Sequence, residues 1–386
     1  MRSSNLSMKS MIQTAWKFIR FDKTKSIGVV VGIVISTFLI GQQIGTFNFL
    51  TGLMSVLVKN TTTAIWVVDD KTTDANQLSL IDTRKEKEIK SLTGVKQAFP
   101  IIVTSGKAKF PNGTSAIVNI IGSEYPHFKV GPDSTKVIQG KLSDLLQEAG
   151  VSADYFDRSN FGGSSDVGTF FEINGKRAVI TLQTKGIRGW GGYLMYTTVD
   201  RARYYGNIPS TSISALMVNV KDGEDVDRVV DEINNSIYGV RAWRTSSLSS
   251  STVASVLAST GLGASTGSLV GFAIIAGFFI IGLTMYSSAL DRIKDYGTLK
   301  AIGATDSYIR NLILTQATLF AIVGFIVALV FLMGFKNGMY QTGILIDFSP
   351  MILFSILMIT FSISLFGAVF AIRRIKNVEP ASVFRG

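Results

Sequence analysis

Apolar residues are bunched along this chain, and the bunching sets its organisation. Ile27–Val58, Ser265–Leu290, Leu312–Phe335 and Met351–Ile372 carry no charge, and a helix of roughly twenty such residues crosses about 30 Å of hydrocarbon. Four membrane helices are predicted. Between the first and second, residues 59–245 change character: charges recur, prolines appear, and apolar runs shorten to strand length. Ala64–Val68 and Ala116–Ile121 predict strands from their β-branched and aromatic content, Arg84–Leu92 a helix, and Val95–Lys109 a turn entering a strand, with Pro100 at an edge or strand start. Ser212–Val220 predicts a strand, Glu224–Ile237 a helix with Val226, Val229, Val230 and Ile233 on one face, and Gly239–Trp243 another strand. Two β-α-β units at the ends of one domain suggest that they pack together, with about 130–209 as an inserted subdomain. The fold class is therefore membrane α-helical with four transmembrane helices and an α+β extracytoplasmic domain inserted between helices 1 and 2.

The flanks refine the layout. Residues 1–26 hold Arg2, Lys9, Lys17, Arg20, Lys23 and Lys25 against Asp22 alone, with Met11, Ala15, Phe18 and Ile19 at helical spacing. They predict a cytoplasmic amphipathic helix with Trp16 at headgroup level. The run that follows, 27–58, is longer than a signal-peptide core and reads as transmembrane helix 1 with a stalk. Gln42 and Gln43 in its outer half should face another helix or a hydrated cavity, as helix-interface or cargo contacts. Residues 246–290 read as a Ser-, Thr-, Ala- and Gly-rich stalk running into helix 2. Residues 291–311 form a charged segment at the water interface, 312–372 are helices 3 and 4, and 373–386 are a basic tail. Basic residues gather at both ends and around Ser288–Thr305, while the short loop after helix 3 holds Lys336 and Asp347. The positive-inside rule then puts both termini inside and the large domain outside.

Composition agrees with a membrane chain: 47% of the 386 residues are hydrophobic and 17% charged. The net charge of +11 is explained by this topology and does not require nucleic acid. Cysteine is absent, which rules out disulfides and thiolate metal sites. No Gly-Lys is followed by Ser or Thr: Gly106-Lys107, Gly140-Lys141 and Gly175-Lys176 precede Ala, Leu and Arg. A phosphate-cradling loop is therefore missing. Gly263-Ala264-Ser265-Thr266-Gly267 spells a nucleophile elbow but opens a membrane helix, with the single histidine, His127, before it. No metal site and no catalytic residue are expected. Asp69, Asp70, Asp154 and Asp157 are carboxylates of the kind any soluble domain carries. The glycines around Trp190 and Tyr193, within 186–198, predict either a mobile aromatic loop that touches an amphiphile or a partner, or a half-buried turn.

The most informative stretch is Ser288–Thr305, SALDRIKDYGTLKAIGAT. Leu290, Ile293 and Tyr296 fall at i, i+3 spacing and predict a short helix with one apolar side, leaving Arg292, Lys294 and Asp295 for an aqueous partner. Gly297 and Gly303 are placed to turn the chain back. The pattern Asp291, Arg292, Lys294, Asp295, Tyr296, Gly297, Leu299, Lys300, Ala301, Ile302, Gly303, Ala304 after an apolar helix resembles the coupling segment of MacB/FtsX-class ABC transporter permeases (type VII). The tail from Arg373 to Arg385, with Glu379, Pro380 and Ala381, is similar to their C-terminal end. The resemblance is strongest to the four-helix DevC-like form and to MacB-like haem exporters, whose ATPase is a separate chain.

It implies a non-catalytic subunit without bound cofactor, working with an ABC ATPase dimer that carries ATP and Mg. Asp291, Arg292, Lys294, Asp295, Tyr296, Gly297, Leu299, Lys300, Gly303 and Ala304 would couple ATP hydrolysis to motion of the outer domain. It further implies a homodimer in the bacterial inner membrane, and expulsion of an amphiphilic cargo through a periplasmic adaptor and outer-membrane channel. FtsX-like signalling to cell-wall hydrolases and lipoprotein release are the alternatives.

Overall fold

Strand β1 shows how the inserted domain is assembled, because both of its faces are covered. The computed structural model describes residues 2–21, 23–126 and 128–376. In chain order the first helices are α1 (Arg2–Phe21), α2 (Lys23–Met54) and α3 (Val56–Lys59). Next come β1 (Ile65–Asp69), β2 (Ile81–Asp82), α4 (Lys85–Lys90), β3 (Val95–Lys109), β4 (Ser115–Gly122), β5 (Val137–Gln139), β6 (Gly150–Asp154), β7 (Phe170–Ile173), β8 (Lys176–Thr184) and β9 (Tyr193–Thr197). The domain closes with α5 (Val199–Gly206), β10 (Ser212–Ile213), β11 (Ala215–Val220), α6 (Val226–Ser236), β12 (Val240–Arg244) and α7 (Thr245–Thr260). The remaining helices are α8 (Leu262–Asp291), α9 (Ile293–Ala301), α10 (Asp306–Gln341) and α11 (Pro350–Lys376). The chain divides into two units, Met1–Asn48 with Gly263–Gly386, and Phe49–Leu262.

Successive side chains of a strand point to opposite faces. Ile65 and Val67 therefore join a core with Ile89 of α4 and Val229 and Ile233 of α6, while Trp66 and Val68 join one with Leu57 and Val58 of α3 and Leu248 of α7. A strand buried on both sides has to be apolar throughout, and Ile-Trp-Val-Val is. The ladder runs β12-β1-β11-β3, antiparallel at each step, so the two ends of the domain do lie side by side in one sheet. Its continuation carries the middle subdomain: β3 pairs β4 from Ile102 onward, β4 pairs β9 in parallel, and β7 pairs β8. Helix α6 is capped by Asp225, whose Oδ1 accepts from the Asp227 N–H at 3.1 Å. Asp225→Ala should lower the domain's stability by about 1 kcal/mol, the usual worth of an N-cap, read as a shift in its thermal melt.

The structure differs from the sequence reading in several elements. β3 is one continuous strand from Val95, with no turn at its start. Pro100 sits inside it opposite Leu216, before pairing with β4 begins at Ile102. Only one strand flanks that position, so Pro100 does lie at an edge, as expected, where the missing N–H is tolerated. Ser212–Val220 is two strands rather than one, divided at Ser214, whose hydroxyl bridges the Val103 N–H and carbonyl at 2.9 and 3.1 Å. The stalk and helix 2 are separate helices, broken at Gly261 with φ +68°, a left-handed conformation that glycine adopts without strain. α10 begins at Asp306 rather than Leu312 and takes in Lys336, which still pairs with Asp347 at 3.1 Å.

Among the described residues, four helical stretches are long and apolar enough to cross a membrane: Ser26–Met54, Leu262–Ser288, Asp306–Gln341 and Pro350–Val369. They pack through small residues, which let helix backbones approach closely. A Cβ on Gly324 would lie 2.4 Å from the Ile33 side chain, and one on Gly367 3.0 Å from the Gly282 nitrogen. Polar contacts cross between the helices: the Thr37 and Thr360 hydroxyls meet at 3.0 Å, and Ser364 Oγ donates to the Ala317 carbonyl at 3.1 Å.

Candidate functional site

The segment between α8 and α10 is a helical hairpin tip. α8 ends at Asp291, Arg292 interrupts the helical φ/ψ run with φ −102° and ψ 17°, and α9 follows for nine residues. Gly303, with φ +102°, then turns the chain, as only glycine does without strain. The Thr305 hydroxyl accepts from the Tyr308 N–H at 3.2 Å and caps α10. Lys300 Nζ reaches Asp306 Oδ1 at 2.9 Å with its side chain only 12% exposed, tying the end of α9 to the first turn of α10. Asp306 is there also favoured by the helix dipole.

The two sides of α9 differ. Tyr296 is 2% exposed and belongs to a cluster with Ala15 of α1, Val29 and Ile33 of α2, Met285 of α8 and Leu312 and Ile313 of α10. Leu299 packs against the same cluster. Burial, partly offset by the Arg292 charge and a hydrogen bond with Gln316, pushes the Tyr296 phenol up to about 12, so it is neutral at any physiological pH. Asp291, Lys294, Asp295, Ala301, Ile302 and Gly303 are exposed, Ile302 by 76%. Ile302 is thus a large aliphatic side chain presented at the tip of a charged turn.

Two assignments made from spacing need correction. Arg292 is not left for an aqueous partner: it is 8% exposed, because it lies one turn before Tyr296 and shares its inward direction. Gly297 does not turn the chain. It is buried within α9, and Gly303 alone makes the turn. Ala304 is half-buried just after it. Ile302 is part of the resembling pattern and Thr305 closes the stretch that holds it, while Asp306 just beyond was not expected in the site. Its signal is present, since Thr-Asp before an apolar run marks a helix start.

The other candidate residues lie elsewhere. Gln42 and Gln43 are half-buried on α2. Trp190 and Tyr193 are half-buried in the inserted domain, and several contacts hold their loop. Asn119 Nδ2 donates to the Trp190 carbonyl at 3.0 Å, a Cβ on Gly189 would stand 2.6 Å from the Gly192 carbonyl, and the Tyr193 ring meets Phe161 edge-on at 5.1 Å. His127 and the tail residues Glu379, Pro380, Ala381 and Arg385 lie outside the described residues. Among those described, no group of acidic and histidine side chains is arranged to hold a metal.

Four apolar helices, a sheet-rich insertion after the first, and a charged, glycine-turned tip between the second and third describe a multi-pass membrane protein. Residues 267–380 match the family FtsX-like permease C-terminal. An uncharacterised ABC transporter permease of Methanocaldococcus jannaschii is 24% identical over 413 residues, covering 99% of each chain. The chain is thus similar to ABC transporter permeases along its length, and to FtsX-like permeases over residues 267–380. Among solved structures, the periplasmic region of MacB from Actinobacillus actinomycetemcomitans is 11% identical, covering 50% of this chain and 93% of that one at a TM-score of 0.37. The extracellular domain of the noncanonic ABC-type transporter YknZ from Gram-positive bacteria is 13% identical, covering 47% and 99% at 0.34.

Proposed function

We propose that α9 and its turn are the docking point for a separate ABC ATPase dimer, and that ATP-driven movement there is passed to the inserted domain without cargo crossing the bilayer interior. The observation that supports this most directly is the two-sidedness of the tip. Lys294, Asp295 and Ile302 are exposed for a partner, while Tyr296, Leu299 and the Lys300–Asp306 pair bind α9 to the helices behind it. A push on such an element moves α8 and α10 together. In this reading the protein is a homodimer in the cytoplasmic membrane with both termini inside. The inserted domain is extracytoplasmic and expels an amphiphilic cargo to a periplasmic adaptor and outer-membrane channel. The chain contributes no catalytic residue, and ATP and Mg sit on the partner.

The test is purification of the tagged chain in mild detergent with mass spectrometry of what accompanies it. An ABC ATPase together with an adaptor protein is the expected result. An ATPase with a cell-wall hydrolase would instead indicate FtsX-like signalling, and absence of any ATPase would overturn the coupling role. Ile302→Asp should reduce ATPase recovery at least tenfold, since a charge replaces an apolar side chain at the centre of the contact. The chain itself should melt unchanged, because Ile302 is mostly in solvent.

A further inference from the structure

The inserted domain holds a cleft of about 580 Å³ that plays no part in the coupling role. Its walls include Ser115 and Ile117 from β4, Ser159 and Asn160 after β6, Arg188 from the glycine-rich turn and Tyr193 at the start of β9. Such a volume falls in the usual range for small-molecule sites, roughly 300–1,000 Å³. Arg188 is 22% exposed, and its Nε lies 3.3 Å from Oδ1 of Asp157, whose side chain is completely buried. Neither Asp157 oxygen receives a hydrogen bond among the described residues, so the ion pair leaves the carboxylate under-satisfied. Asp154, three residues earlier, is held quite differently. It accepts from the Phe156 N–H at 3.1 Å, Thr184 Oγ1 at 3.0 Å and the Ile187 N–H at 2.8 Å.

We propose that this cleft binds a small amphiphilic carboxylate anchored on Arg188, and that binding takes up one proton on Asp157. A guanidinium presents a planar fork that matches a carboxylate in geometry and charge. Ser159, Asn160 and Ser115 offer further donors, and Ile117, 61% exposed, and the Tyr193 ring give an apolar wall for the ligand's body. The charged and titratable groups that face Asp157 are Asp154 from β6, Arg188 from the turn after β8 and Tyr193 from β9. While Asp157 is ionised, its charge opposes the attraction of Arg188 for an anion. Once it is protonated, that opposition is gone. Burial, reinforced by the Asp154 charge and opposed by Arg188, pushes Asp157 up to about 7. Anion affinity therefore rises as pH falls through neutrality. This inference concerns the inserted domain alone and stands whether or not α9 docks an ATPase.

The probe is benzoylglycine, with benzoylglycine amide as its uncharged counterpart, titrated calorimetrically into the full chain in detergent micelles at pH 6 and pH 8. The acid should bind about tenfold more tightly at pH 6, as uptake of one proton on a group titrating near 7 requires, and the amide should not bind. Arg188→Gln should abolish binding, Arg188→Lys should weaken it, and Asp157→Asn should keep the pH 6 affinity at pH 8. A thermal melt of each variant separates lost binding from lost fold. Equal binding of acid and amide, no binding at pH 6, a pH-independent affinity in the parent, or full binding by a folded Arg188→Gln protein would each overturn the proposal.

Discussion

Gly297→Pro is expected to leave the protein inserted in the membrane but unable to respond to ATP. Gly297 lies inside the nine-residue α9. In a helix its N–H bonds the carbonyl four residues back, that of Ile293. Proline removes this donor and its ring collides with the same carbonyl, a cost of about 3 kcal/mol or more. So short a helix has few other bonds to keep its shape. Tyr296 and Leu299 would leave their places against α1, α2 and α10, and the exposed tip would lose its fixed relation to α8 and α10. Nucleotide-driven activity of the complex in proteoliposomes should fall by at least tenfold. Thr298→Ala, at an exposed position of the same helix, removes only a hydrogen bond to the Lys294 carbonyl and should behave as the parent. Full activity in the Gly297→Pro protein would mean that α9 is not the element through which force passes.

The second large effect concerns the bundle. Gly367→Leu should lower the melting temperature in detergent sharply and reduce the amount of folded protein. A Cβ at that position would stand 3.0 Å from the nitrogen and 3.1 Å from the Cα of Gly282, so the obstacle is the backbone of α8 itself rather than a side chain that can rotate away. Overpacking of this kind costs about 1–3 kcal/mol where neighbours can adjust and more where they cannot. Gly334→Leu is the matched control, since a Cβ there meets nothing within 4 Å and glycine is a weak helix former. Its melting temperature should stay the same or rise. Similar losses in both variants would show that the effect reports leucine in an apolar helix, not the α8–α11 contact.

The sequence exposed some features of this structure and concealed others for identifiable reasons. Membrane spans are legible because crossing hydrocarbon sets a minimum apolar length, and the strands at the two ends of the inserted domain because their β-branched and aromatic runs are short and bounded by polar and turn residues. The break at Gly261 is not, since a run of Ser, Ala and Gly fits a continuous small-residue helix as well as an interrupted one. Arg292 was legible but misread. Once Tyr296 is placed inward, the residue four positions earlier on the same winding must follow it, and the charge of Arg292 obscured that geometric rule. Of the cleft at Arg188, only the glycine-flanked stretch 186–198 is legible in the sequence. The cleft's walls come from the start of β4, the turn after β6 and the glycine loop before β9, brought together only by the pairing of β4 with β9 and of β6 with β8.

The place of β1 between β11 and β12 has a consequence in time. Trp66 pairs with Met217 on one side and Trp243 on the other, so the strand's two partners are made last, after every residue of the middle subdomain. Until they arrive, Ile65–Val68 is an apolar ribbon with both edges open, and closing so long a loop is slow. A nascent chain cut anywhere before β12 cannot finish this sheet. The inserted domain therefore matures as a late event of biosynthesis, and its early strand depends until then on whatever keeps other chains from pairing with it.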